Sequence, residues 1–267
     1  MSKARAFLEE IYEKYNRRDL VSPDPLQFLY QYETLRDREI VALTASSLAY
    51  GRVSQILKSI ETILAVMGES PYDFILSNDK AAFIRYVGDF KYRFTTADDI
   101  TALFMGMQSV LCEYDSFHNC FLSGYRKMDE SLISATERFI SRITSFFTNG
   151  SSYLLPNPKK GSACKRFNLF LRWMIRNDAV DIGGWDNSLQ SKLIIPLDTH
   201  MNNICTSAGI TGRKNADLKA AVQITEWFKK INPEDPVKYD FALTRFGIRG
   251  ELKIDSLLKK LNKYINE

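Results

Sequence analysis

The chain is poor in the residues that hold metals and clusters. Its 267 residues include four cysteines and two histidines, His118 and His200. Cys112, Cys120, Cys164 and Cys205 form no Cys-x-x-Cys pair, which argues against zinc-finger and four-cysteine iron–sulfur spacings. No metal and no cofactor are expected, and the thiols are expected to stay reduced. No run of eighteen apolar residues occurs, so no membrane span is expected. Met1 to Ala6 lead into Glu9 and Glu10 rather than into an apolar signal core, so a cytoplasmic location is expected. Internal repeats and low-complexity tracts are missing, and strand-like alternation is scarce.

What is present suits a globular chain. Hydrophobic content is 45% and charged content 25%. The length allows one domain or two lobes sharing a cleft. Apolar residues recur at helical spacing over 2–16, 37–50, 54–67, 71–75, 80–86, 96–112, 129–147, 162–177, 199–208, 215–230, 236–246 and 251–265. The expectation is an all-α fold. Gly51, Gly68 and Gly209 are expected to end or bend helices, and Asp235 to cap a helix that starts at Pro236. The alternation from Gly88 to Phe94 resembles a short strand, but the favoured expectation is an extended link that packs its aromatics onto the core. Asn149 to Lys160 is rich in Gly, Ser, Asn and Pro and reads as a boundary or exposed loop.

Charge is distributed unevenly. The net charge is +4, and six basic residues with no acid lie between Lys159 and Asn177. Lys165, Arg172 and Arg176 recur at intervals of seven and four, on one side of the 162–177 helix. Such a side is either a solvated face or a face toward an anion. Gly161 and Ser162 precede the helix and could offer backbone N–H groups to a phosphate, or form an ordinary capping loop. Asp198 follows the apolar run Leu193 to Leu197 where the 199–208 helix starts. It reads as an N-cap, and a cap keeps a carboxylate ionised and aimed, so capping and catalysis are compatible. Lys165 reads as a phosphate contact or solvated lysine, or as an amine nucleophile, which must spend part of its time neutral. An amine and a carboxylate facing one cleft could cut a base from DNA. Ser162, Cys164 and Cys205 have no evident base partner, and His200 either bonds locally or lines the cleft.

At these residues a resemblance enters. Leu197-Asp198-Thr199-His200-Met201, followed by Ile204, resembles the Val-Asp-Thr-His segment of the helix-hairpin-helix DNA glycosylase superfamily, whose aspartate is the catalytic carboxylate. The whole chain also resembles a family of bacterial proteins of unknown function. That likeness rests on Ser47 to Val53, Lys160 to Arg166 with Phe170 to Met174, Pro196 to His200, and Asp235 to Leu243. The interval from Lys165 to Asp198 is most similar to the archaeal 8-oxoguanine glycosylase branch. The resemblance implies a two-lobed helical fold with an atypical hairpin. The chain would be a single unit over residues 1–267, its catalytic lobe spanning about 150–230. The damaged nucleotide would be flipped into the cleft.

By that likeness Lys165 attacks the sugar C1′ and Asp198 assists base departure, with AP lyase cleavage following. Tyr50, Arg52, Gln55 and His200 become candidate substrate-pocket residues, Tyr50 reading equally well as a core aromatic. Lys159, Lys160, Gly161, Ser162, Arg166 and Arg172 become candidate contacts to the DNA backbone. The implied partner is double-stranded DNA with a damaged base, such as an oxidised purine, or an abasic site. The protein would act as a monomer, nucleoid-associated when bound. The chain departs from the superfamily pattern in three places. Only Gly161 stands where a Leu-x-Gly-x-Gly hairpin is usual, Asn203 replaces an arginine frequent five residues after the aspartate, and the iron–sulfur cysteines of the endonuclease III branch are missing. A non-catalytic DNA-binding or lesion-sensing protein and a helical interaction protein are the alternative readings.

Overall fold

A computed structural model describes residues 2–150, 152–249 and 252–265; Met1, Ser151 of the expected loop and Glu251 of the last expected helix lie outside them. The described chain is predominantly helical, with one short antiparallel hairpin. It divides into two compact units. A central unit comprises Ser22–Lys160, and a terminal unit joins Met1–Val21 to Gly161–Glu267. Among the described residues no helix is long and apolar enough to cross a membrane.

Helix α1 (Ser2–Tyr15) opens the terminal unit and buries Ala4, Phe7, Leu8 and Ile11, one face at 3–4-residue spacing. The central unit is built around α2 (Leu35–Leu48), α3 (Val53–Met67), α4 (Pro71–Ser77), α5 (Lys80–Val87), α6 (Ala97–Tyr114), α7 (Phe117–Ser123) and α8 (Ile133–Thr144). Helix α2 is buried nearly all round, which its small Ala42, Ala45, Ser46 and Ser47 permit. Helix α6 packs on α4, α5, α7 and α8. Gly106 lets α8 approach, since a Cβ there would lie 2.5 Å from the Ile143 carbonyl oxygen. Helix α7 is absent from the periodicity reading. Its first N–H groups are met from α2, where the buried Glu39 accepts from Phe117 N at 3.0 Å and His118 N at 2.9 Å.

The segment 88–94 contains the short strand its alternation resembles, as one arm of a hairpin, rather than the favoured extended link. Strand β1 (Lys91–Tyr92) pairs with β2 (Thr95–Thr96), leaving Arg93 and Phe94 at the tip. Tyr92 packs inward as expected, but Phe94 is 65% exposed, which corrects the expectation that these aromatics cover the core.

The terminal unit continues with α9 (Lys165–Ile175), α10 (Thr199–Ser207), α11 (Leu218–Ile231), α12 (Asp240–Ile248) and α13 (Ile254–Ile265). Helices α11, α12 and α13 pack on α1, and α10 packs on α12. Gly68 and Gly209 take positive φ at helix ends, as expected. Helix α12 starts later than its sequence suggests. Asp235 is not its N-cap, a place taken by Tyr239; it is buried and accepts from Arg176 Nε at 2.9 Å.

Candidate active site

Lys165 is the first residue of α9. The turn before it is tight: Gly161 has φ +79° and Cys164, the N-cap, has φ +47°. Ser162 Oγ accepts from Cys164 N at 3.1 Å, Ser162 bridges to Asp217, and Gly161 O accepts from Leu218 N at 2.9 Å. The Cys164 side chain makes no capping hydrogen bond to α9. Lys165 is half-buried, because from Arg166 onward the helix is buried on nearly every side.

The expected surface stripe turns inward. Arg172 and Arg176 are 3% and 2% exposed and lie among carboxylates. Arg172 Nε donates to Asp181 Oδ1 at 3.1 Å, and its Nη1 donates to Asp240. Arg176 donates to Asp235 and to Asp181, and pairs with Asp178 Oδ2 at 2.8 Å. Tyr12 of α1 also donates to Asp178 Oδ2, at 2.9 Å. Arg172 is thus a buried ion-pair partner rather than a DNA-backbone contact, and Arg166 is buried too. The acid-free window misled because the carboxylates that neutralise it come from Asp178, Asp181, Asp235 and Asp240, outside it.

Asp198 caps α10 as its sequence position predicts. Met201 N–H donates to Oδ1 at 2.7 Å, while Oδ2 receives no hydrogen bond among the described residues. The carboxylate is half-buried beneath the buried run Leu193 to Leu197. Its electrostatic neighbours are Asp240 and Cys205. Burial pushes the Asp240 carboxyl up to about 6; Arg172 opposes this and Asp198 adds to it. Oδ1 of Asp240 and of Asp235 are buried without a hydrogen-bond partner among the described residues, which further favours a protonated carboxyl there. Burial raises Asp181 and Asp235 as well, against the pull of the guanidinium groups. Asp178 is lowered: burial works against it, but Arg176, two backbone N–H groups and Tyr12 outweigh burial.

Thiol chemistry has little support here. Burial raises Cys205, with Asp240 and Asp198 adding, and burial pushes Cys164 up to about 11. Both therefore stay protonated at neutral pH. Among the described residues no group of three His, Cys, Asp or Glu side chains is arranged to hold a metal ion. His200, in the first turn of α10, packs on α12: a Cβ at Gly247 would lie 2.2 Å from its Nδ1.

Seven of the twelve candidates, Gly161, Ser162, Lys165, Arg166, Arg172, Asp198 and His200, belong to the terminal unit, and Tyr50, Arg52, Gln55, Lys159 and Lys160 to the central unit. Arg52 and Gln55 are exposed at the start of α3. Tyr50 is half-buried and clamps the hairpin. Its hydroxyl donates to Tyr92 O at 2.9 Å and lies 2.6 Å from Thr95 Oγ1. Lys159 and Lys160 are exposed, Lys159 lying 3.7 Å from Glu137. Asp240 is the neighbour that residue-by-residue reading missed. Its only signal was membership of the Asp235 to Leu243 stretch.

The chain matches the model of a family described as a protein of unknown function, DUF2400, over residues 24–249, and it belongs to that family. Neither the curated proteins nor the solved structures give a match.

Proposed function

We propose that this DUF2400 member is a DNA base-excision glycosylase with AP lyase activity, Lys165 being the nucleophile and Asp198 the assisting carboxylate. The observation that carries the reading is the direction of one helix face. Seven residues are almost two full helical turns, so Lys165 and Arg172 share a side of α9. That side reaches Asp240 through Arg172, and Asp240 is the electrostatic neighbour of Asp198. The candidate amine thus shares a helix side with Arg172, two turns on, and Arg172 bonds a neighbour of the candidate carboxylate. The inward turn of Arg172 and Arg176 also removes two cations from the surface, which weakens the alternative of a plain basic DNA-binding face.

In the proposed reaction the neutral Lys165 amine forms a bond to C1′ while the C1′–base bond breaks. The bonding pair leaves with the base, which takes up a proton. Asp198 stabilises the positive charge developing on the sugar. Opening of the sugar ring gives an iminium between Lys165 and C1′. Loss of a C2′ proton then expels the 3′ phosphate, and water releases the lysine. By its likeness to the archaeal branch, the substrate class is an oxidised purine, with the nucleotide extruded from the duplex.

The test is borohydride trapping on duplexes carrying 8-oxoguanine, oxidised pyrimidines or an abasic site. The expected result is a covalent adduct with wild type, none with Lys165→Ala, and slower base release with Asp198→Asn. An adduct that survives Lys165→Ala refutes the assigned nucleophile. No adduct on any substrate, with salt-sensitive binding retained, refutes lyase chemistry and favours a non-covalent DNA binder.

A further inference from the structure

The hairpin tip of the central unit is built against local preference. A two-residue hairpin loop favours glycine or asparagine where φ is positive, yet Arg93 occupies such a position with φ +51° and Phe94 follows it. The surroundings hold this arrangement. Tyr50 bonds the Tyr92 carbonyl and the Thr95 hydroxyl, and Tyr92 Oη donates back to the Tyr50 carbonyl. Gly51 supplies the room: a Cβ there would sit 2.7 Å from Arg93 Nη1 and 2.8 Å from Tyr92 Oη. The result is an aromatic surface facing solvent. Phe94 is 65% exposed and Tyr153 is 53% exposed. Their rings meet edge-on with centroids 5.3 Å apart, and Tyr153 meets the half-buried Tyr50 ring edge-on at 5.0 Å. The Arg93 guanidinium lies 5.7 Å from the Phe94 ring centroid.

We propose that this surface binds unpaired nucleobases, Phe94 and Tyr153 stacking on successive bases while Arg52, Lys91 and Arg93 hold the phosphates. Charge selects this occupant. Residues 49–55 and 90–96 carry those three cations and no acid, and all three cations are exposed. An apolar peptide groove or a second copy of this chain gives no reason for three exposed cations on the two segments that form this surface. Single-stranded nucleic acid needs both rings and cations. The assignment goes beyond the excision reading and does not depend on Lys165 being reactive.

The test is fluorescence anisotropy of the full chain with a single-stranded dodecamer. A matched deoxyribose-phosphate oligomer, carrying the same charges and no bases, serves as the second probe. Wild type should prefer the base-bearing strand by about tenfold or more, since each stacked base is worth one to two orders of magnitude at most. Phe94→Ala and Tyr153→Ala should each remove about tenfold in affinity for the base-bearing strand, leave the base-free oligomer unchanged and keep the helical circular dichroism. Phe94→Tyr should restore binding, and Lys165→Ala should leave it intact even as borohydride trapping is lost. Equal affinity for both oligomers, or unchanged binding by both alanine variants, would overturn the proposal. So would a concentration-dependent dimer abolished by Phe94→Ala, which assigns the rings to self-association.

Discussion

Replacing Asp240 by asparagine tests the electrostatic setting of Asp198. Burial and the Asp198 charge raise the Asp240 carboxyl from its ordinary 3.8 to about 6, against Arg172. Because the folded state holds the proton more tightly, the contribution to stability is complete below the unfolded value near 3.8. It is lost as pH rises through about 6. The gap of about two pH units corresponds to about 3 kcal/mol for a group as buried as this one. Asparagine has nearly the same shape and cannot ionise. It also gives up the charged partner of Arg172, so its stability is lower at every pH. The readout is therefore the pH dependence of the difference, in which the other buried aspartates largely cancel.

Urea unfolding at pH 4, 5, 6 and 7 supplies that difference. The stability of Asp240→Asn relative to wild type should rise by about 2.5 kcal/mol from pH 4 to pH 7, most of it before pH 6.5. In an Asp198→Asn background the rise should shrink and move to lower pH, because one of the charges raising Asp240 is gone. A difference that stays flat across the range would refute the raised carboxyl, and with it the argument that Asp198 and Arg172 act on one shared neighbour.

Two further expectations concern the fold. Arg176→Ala should cost about 3–5 kcal/mol in urea unfolding, because Asp178, Asp181 and Asp235 then face one another without their shared cation; a loss below 1 kcal/mol would contradict the buried network. Gly106→Ala should lower stability by about 1–3 kcal/mol, since its new methyl would meet the Ile143 backbone oxygen at 2.5 Å, and an unchanged midpoint would show that α6 and α8 are not so closely packed.

Helices were legible where a single element decides its own form. The amphipathic spacing of α1, α3 and α11 and the cap at Asp198 are local signals, and the chain follows them. Features that depend on a distant partner were hidden. Helix α7 begins where Glu39, far earlier in sequence, receives its N–H groups. Asp235 carries the local signature of a cap, but Arg176 holds its carboxylate instead. The hairpin lacks the Asn-Gly or Gly-x signal because Tyr50 and Gly51 enforce its tip from outside. Arg172 and Arg176 share the buried Asp181. Periodicity carries no information on whether a charged face meets water or carboxylates.

That ambiguity has a consequence for Lys165 itself. A lysine on a solvated basic stripe would be one phosphate contact among several, interchangeable with Lys159 or Lys160. On α9 the stripe divides. Its later members, Arg172 and Arg176, are held in buried ion pairs, while its first, Lys165, stands half-buried at the start of the helix. Arg172 and Arg176 fix the rotation of α9 about its axis, because turning the helix would strip three buried aspartates and the half-buried Asp178 of their partners. The direction in which residue 165 projects is therefore set by ionic contacts two and three turns away. The buried Arg172 and Arg176 would serve the proposed chemistry by holding the amine in one orientation rather than by touching the nucleic acid.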